Sequence, residues 1–181
     1  TEAIVERVKN PPETNANGYI WHTTGSGKTL TSFKAAQIMT GLPDVHKVVF
    51  CVDRKDLDYQ TIKEFNGFSK GSVDSTNNTK KLVSQFADAD TKLIVTTLQK
   101  LNTAISKQAY LEQMTQLQDE RIIFIFDECH RSQFGDTHKR ICEFFHNHQM
   151  FGFTGTPIFA DNAMTKGGKK HTTKDLFHKK L

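Results

Sequence analysis

The sequence predicts an α/β fold in which a mostly parallel central sheet is flanked by helices and carries a phosphate-binding turn. Three observations carry that prediction. Short, almost unbroken apolar runs, KVVFCV (47–52), KLIVT (92–96) and IIFIF (122–126), read as strands buried on both faces. Helical stretches separate these runs, and that alternation builds parallel sheets. Finally, WHTTGSGKTLTS (21–32) sets a glycine-rich turn between an expected strand and an expected helix, the order a phosphate cradle requires.

In chain order, residues 1–9 have a helical pattern, and NPPETNANG (10–18) is a breaker-rich loop leading into a first strand, GYIW (18–21). The helix after the glycine-rich turn is expected over 30–39, with Leu30, Phe33, Ala36 and Ile38 as its apolar positions. GLPD (41–44) turns the chain into the strand 47–52, and 57–65 reads as helix. Residues 69–78, rich in Ser, Asn, Thr and Gly, suggest an exposed loop with one short strand near Val73. Helix at 82–86, strand at 92–96 and helix at 98–105 lead to the strand 122–126. A helix over 140–146 then precedes a last strand, FGF (151–153). Residues 1–162 are expected to form one domain. Residues 163–181, with Lys166, Lys169, Lys170, Lys174, Lys179 and Lys180 and too few apolar side chains for a core of their own, are expected to be a flexible basic segment.

Composition excludes several classes. The chain has 181 residues, 36% hydrophobic and 24% charged, an ordinary balance for one globular domain. No apolar stretch approaches the roughly 20 residues of a membrane span, and TEAI at the start lacks a secretory signal, so no membrane partner and a cytoplasmic location are expected. Cys51, Cys129 and Cys142 are odd in number and unclustered, which predicts free thiols. The formal charge of +4 is a mild bias toward anionic partners.

The P-loop pattern is incomplete by spacing alone. Gly27, Lys28 and Thr29 match the end of the template, but His22 stands where a leading glycine is usual. The physics asks for less than the template. Backbone N–H groups of Thr24, Gly25, Ser26 and Gly27 can line a concavity at a helix N-terminus, where the dipole favours an anion. Gly25 and Gly27 let the backbone approach the phosphate without a Cβ in the way. Lys28 adds a charge at the outer phosphates, and Thr29 offers a hydroxyl to Mg2+. The competing reading is a Gly/Ser/Thr turn with an incidental lysine.

IIFIFDECH (122–130) weakens that alternative. Five apolar residues carry Asp127 to the carboxyl edge of the sheet, where open α/β folds bind ligands, and there it can serve the metal. Glu128 is placed to orient the water that attacks the γ-phosphate of ATP. Lys28 and Asp127 stand 99 positions apart (127 minus 28), each at an expected strand end, and the pair is far more specific than either alone.

TTGSGKT, DECH and FTGTP (153–157), in that order, resemble motifs I, II and III of superfamily 2 helicases and translocases. VVFCVDRKDLDYQT (48–61) resembles motif Ia and IVTTLQKL (94–101) motif Ib. More specifically, GYIWHTTGSGKTLTSFKAA, VDRKDLDYQT, FDECHRSQFG and FGFTGTPIF resemble the motor (R, HsdR) subunit of type I restriction-modification enzymes over about residues 1–162. The resemblance implies an ATP-fuelled translocase of double-stranded DNA. In such a subunit a nuclease domain precedes two RecA-like motor domains, and a helical part docks on the methyltransferase and specificity subunits. It makes His130, Thr154 and Thr156 a relay between ATP state and DNA grip. Only the first motor domain is expected here, as part of a larger subunit, because no second P-loop core, arginine-finger motif or nuclease motif is found. The adenine-reading segment is also missing, since no Gln precedes Gln37.

Blander readings stand beside these. Cys129, His130, His138 and Cys142, with His146 and His148, could be taken for a zinc cluster, but the spacing fits no standard paired-ligand pattern. Thr154 and Thr156 could be turn hydroxyls ahead of Pro157. Arg54, Lys55, Gln99, Lys100 and Arg131 are either solvated surface or, in loops after strands, contacts to DNA phosphates. Among function classes, a restriction-complex translocase accounts for every motif. A superfamily 2 helicase that unwinds DNA or RNA is the alternative. A metabolic nucleotide-binding protein such as a kinase would leave FTGTP and 48–61 without purpose.

Overall fold

In a computed structural model of the chain, the described residues are 2–12, 16–21, 28–52, 63, 66–67, 78–127, 134–155, 165–166, 169–170, 172–173, 177 and 180–181. Five strands, β1 (Gly18–Trp21), β2 (Lys47–Val52), β3 (Leu93–Thr97), β4 (Ile122–Asp127) and β5 (His148–Thr154), form one sheet in the order β1-β5-β4-β2-β3. Every neighbouring pair in it is parallel. A short antiparallel pair, β6 (Thr165–Lys166) and β7 (Lys169–Lys170), stands apart from it.

The apolar runs sort by alternation into two cores, one on each side of the sheet, because successive side chains of a strand point to opposite faces. On one face Val48, Phe50, Val95, Ile123, Ile125, Phe151 and Phe153 pack with helices α1 (Glu2–Lys9) and α2 (Lys28–Met39). On the other, Val49, Cys51, Ile94, Phe124, Phe126 and Met150 pack with α3 (Thr79–Ala87), α4 (Leu98–Ser106), α5 (Gln108–Thr115) and α6 (Phe134–Phe144). Phe145 joins rings from three elements there, 5.2 Å from Phe124 and 6.4 Å from Phe86 between centroids. Asn78 and Thr97 cap α3 and α4, each accepting a backbone N–H two or three residues on.

Local expectations needed correction in four elements. Helix α2 does bury Phe33 and Ala36, but Leu30 and Ile38 are 57% and 42% exposed, and Ser32, Ala35 and Met39 are buried instead. Leu30, Lys34 and Ile38 follow one another at i, i+4, i+8 and so form the outer stripe of the helix. Helix α5 was not expected, since Met114 is its one buried residue and the rest of QAYLEQMT shows no clear periodicity. The last helix begins at Phe134 and ends at Phe144, earlier than the expected 140–146, and β5 extends the expected 151–153 in both directions. The expected helix 57–65 and loop 69–78 fall, apart from residues 63 and 78, outside the described residues.

A polar network ties the amino edge of the sheet together. Arg121 donates to the backbone carbonyl of Val8 at 2.6 Å and to Gln149 Oε1 at 3.0 Å, and pairs with Asp44. Gln149 in turn donates to the carbonyls of Arg7 and Ala16. Lys47, almost fully buried, donates to the carbonyls of Asp88 and Thr91 at 2.7 and 2.9 Å, and burial holds its pKa below the ordinary lysine value. The opposite, carboxyl edge is thereby left for chemistry. Within 163–181, Phe177 is buried 6.3 Å from Phe126, and Leu181 N donates to Tyr19 O at 2.8 Å.

Candidate nucleotide-binding and motor site

Strand β1 ends at Trp21 on the carboxyl edge of the sheet, and α2, which opens at Lys28, packs on β2 and β4. Lys28 and Thr29 form the first turn of α2, where backbone N–H groups lack intrahelical partners and the helix dipole attracts anions. Asp127 is the last residue of β4, 7% exposed and in register with Phe153 of β5. It shares parity with Ile123 and Ile125, so its side chain belongs to the α2 face of the sheet. A carboxylate and a helix N-terminus thus occupy one face of one edge.

Strand order sets their separation. Strand β5 lies between β1 and β4, which puts the end of β1 and Asp127 two strand spacings apart, about 10 Å. That gap suits a phosphate group and a metal ion between them. The donor set suits Mg2+ as well, a hard cation that takes one or two protein oxygens and the rest from phosphates and water. Phosphoryl-transfer sites use a carboxylate at a strand end in this way.

Thr154 ends β5 fully buried, one residue beyond the register partner of Asp127 and in register with Trp21 of β1. Its parity is that of Met150, toward the opposite face of the sheet. It therefore sits between the two halves of the site while pointing away from the phosphate side. Gln99, exposed, and Lys100, half-buried, lie in the first turn of α4 just after β3. Because β3 is the far edge strand, they stand at the same carboxyl edge but about 20 Å from β1. Thr24, Gly25, Ser26, Gly27, Arg54, Lys55, Glu128, His130, Arg131 and Thr156 lie outside the described residues.

Among the described residues, other reactive groups are buried or have partners of their own. Cys51 is buried in the sheet and burial drives its thiol far above the ordinary range, so it stays protonated. His138 and Cys142 approach to 3.9 Å one helical turn apart, while His146 pairs with Asp119 and His148 with the Phe145 carbonyl. Among the described residues no three His, Cys, Asp or Glu side chains converge on one point.

With that geometry in place, comparison with known proteins is decisive. The model of the SWI2/SNF2 ATPase family matches residues 1–181. An endonuclease subunit of a putative type I restriction enzyme of Mycoplasma pneumoniae, described as its C-terminal part, is 47% identical over 154 residues, covering 80% of this chain and 74% of that protein. The chain belongs to the type I restriction endonuclease (R) subunits, within the SWI2/SNF2 ATPases. A type I restriction enzyme endonuclease subunit of Staphylococcus saprophyticus is 54% identical over 97% of the chain, and the chain spans 18% of that relative's length. A more distant R subunit from Haemophilus influenzae is 30% identical over 82% of the chain.

Solved structures agree on the fold of this R-subunit domain. The UvsW helicase of bacteriophage T4 superposes with a TM-score of 0.57 at 16% identity, covering 99% of the chain and 57% of that protein. The Hef helicase domain of Pyrococcus furiosus gives 0.58 at 18% identity, with 84% and 31% covered. The fold is therefore the RecA-like one expected. No helix among the described residues is long and apolar enough to cross a membrane.

Sequence reasoning treated Trp21 only as the end of a strand. In the structure its indole N–H donates to the carbonyl of Gly155 at 3.3 Å. The signal was its position, as the single tryptophan of the chain directly before the glycine-rich turn.

Proposed function

We propose that this chain is the ATP-binding motor domain of a type I restriction R subunit, which couples ATP hydrolysis to translocation of double-stranded DNA before cleavage. The observation that carries this reading is Asp127, buried at the end of β4 on the face where the P-loop helix α2 packs. Thr24, Gly25, Ser26, Gly27 and Lys28 bind the phosphates of ATP. Thr29 and Asp127 hold Mg2+, which supplies charge neutralisation on the phosphates. Glu128 orients the attacking water. Lys28 and Asp127 act through their charge on the phosphates and the metal.

His130, Thr154 and Thr156 relay the state of the nucleotide toward the DNA-gripping surface. Gln99, Lys100, Arg54, Lys55 and Arg131 contact DNA phosphates, which position the duplex without reading its sequence. A second motor domain in the same subunit closes the cleft over ATP, and methyltransferase and specificity subunits complete a cytoplasmic complex. Residues 1–181 alone are then expected to show negligible DNA-stimulated ATPase activity, because an arginine finger from a second domain contributes about a thousandfold or more.

The test is steady-state ATPase and triplex displacement by a full-length R subunit carrying this domain. The wild type should displace a third strand without separating the duplex, and Lys28→Ala should abolish both activities. Strand separation would favour an unwinding helicase. Full turnover by Lys28→Ala would overturn the assignment of the site, and robust DNA-stimulated turnover by residues 1–181 alone would overturn the two-domain account.

A further inference from the structure

Strand order leaves β1 at one end of the five-stranded sheet, with β5 on its inner side. Such an edge presents backbone N–H and C=O groups to any extended chain that can align with it. Among the described residues, Lys180 and Leu181 are the ones that pair with the outer edge of β1. Tyr19 forms an isolated parallel bridge with Lys180, and Leu181 N donates to Tyr19 O at 2.8 Å. Side chains reinforce this pairing. Lys180 Nζ lies 4.7 Å from the centroid of the Trp21 ring, within cation–π range. Leu181 packs against the core on the α1 and α2 side, in the space beside Gly18 where a Cβ would come within 2.6 Å of it.

We infer that Lys180 and Leu181 form a strap that closes the β1 edge, and that release of the strap opens a strand-pairing site for the β1 edge of a second copy of this chain. The sequence of the strand carries the choice of partner. GYIW (18–21) holds no charged residue, so two such edges meet without repulsion. Edge strands that stay unpaired are commonly guarded by a lysine, and here the lysine belongs to the strap and not to the strand. Once the strap leaves, the guard leaves with it. Two identical edges then pair antiparallel about a twofold axis, the arrangement in which one patch complements itself. The strap therefore acts as a safeguard against self-association, and Gly18 is the residue that makes room for it. This inference stands apart from the motor reading, since no step of it involves the nucleotide.

The experiment uses a full-length R subunit carrying this domain. Leu181→Pro removes the N–H that Tyr19 O accepts and keeps residue 180 extended, so only the strap bond is lost. Gly18→Ala crowds out the Leu181 side chain from the strand side and guards against a folding defect peculiar to the proline. In both variants deuterium uptake over residues 18–21 should quicken about tenfold in dilute protein. Sedimentation velocity should then show a mass that climbs toward a dimer as concentration rises, with uptake over 18–21 slowing again. Gly18→Ala combined with Leu181→Ala, where the strap fits once more, should sediment as wild type does. Unchanged uptake in both single variants would overturn the strap. Faster uptake with wild-type sedimentation at every concentration would overturn the pairing site, and so would a wild-type subunit that associates as strongly as the variants. ATP turnover enters none of these outcomes, so the motor reading stands or falls separately.

Discussion

Asn17 completes a ladder that the backbone of β1 starts too late to make. Its side-chain oxygen accepts a hydrogen bond from the N–H of Met150 at 2.8 Å, one position before β1 and β5 begin to pair at Gly18 and Phe151. Met150 is fully buried, so water cannot replace this acceptor. Asn17→Ala should therefore destabilise the chain by about 1–3 kcal/mol, the cost of an orphaned buried donor. Asn17→Asp, which keeps an acceptor at that place, should lose less. Urea unfolding of the two variants checks this, and a loss below about 0.5 kcal/mol for Asn17→Ala would contradict it.

Gly18 makes room for Leu181. A Cβ at position 18 would lie 2.6 Å from Leu181 Cδ1 and 2.8 Å from its Cγ, too close for either to stay. The obstacle is the end of a flexible side chain, so Gly18→Ala should displace Leu181 and leave the sheet intact. Hydrogen exchange should show the Leu181 amide, bonded to Tyr19 O, losing protection while the unfolding midpoint scarcely moves. Leu181→Ala in that background should restore protection of the residue-181 amide.

Asp127→Asn tests the buried carboxylate with almost no change of shape. In a full-length R subunit the variant should fold, retain magnesium-independent nucleotide binding, and lose at least about a hundredfold in Mg-ATP turnover. Circular dichroism, nucleotide titration with and without magnesium, and steady-state ATPase separate these outcomes. Wild-type turnover would remove Asp127 from the site.

Histidines at the amino edge make stability depend on pH. Burial holds the His148 pKa below 6.5, outweighing the hydrogen bond to the Phe145 carbonyl, which raises it. His46 is lowered in the same way, chiefly by burial, against the raising effect of Glu120. The unfolded chain then binds more protons than the native one between those lowered values and about pH 6.5. This contribution to stability is complete above about pH 6.5 and is lost as pH falls through that window. The urea midpoint should drop between pH 7.5 and 5.5, and His148→Gln should flatten part of the slope. An unchanged slope in that variant would show that His148 does not titrate as described.

The candidate site could be read in the sequence because its residues lie in short contiguous stretches. GSGKT needs only a strand before it and a helix after it, and five apolar residues before Asp127 suffice to place it at a strand end. The strand 47–52 matched its apolar run to the residue, since a strand buried on both faces declares itself without periodicity. Where burial was one-sided or sparse, the pattern gave out. Helix α5 buries Met114 alone, and in α2 the apolar Leu30 and Ile38 face outward while Ser32 is buried.

What no linear pattern contained was the order of the strands. Placing β5 between β1 and β4 sets the end of β1 and Asp127 two strand spacings apart, puts Thr154 between them, and brings Trp21 within reach of Gly155. The bond between Trp21 and Gly155 joins residues 134 apart in the chain. Such contacts follow from long-range pairing, whose free energy comes from burying both faces of the sheet at once. Residue types and local spacing therefore determined the chemistry available to this protein, and the packing of two cores against one sheet decided which of those groups meet.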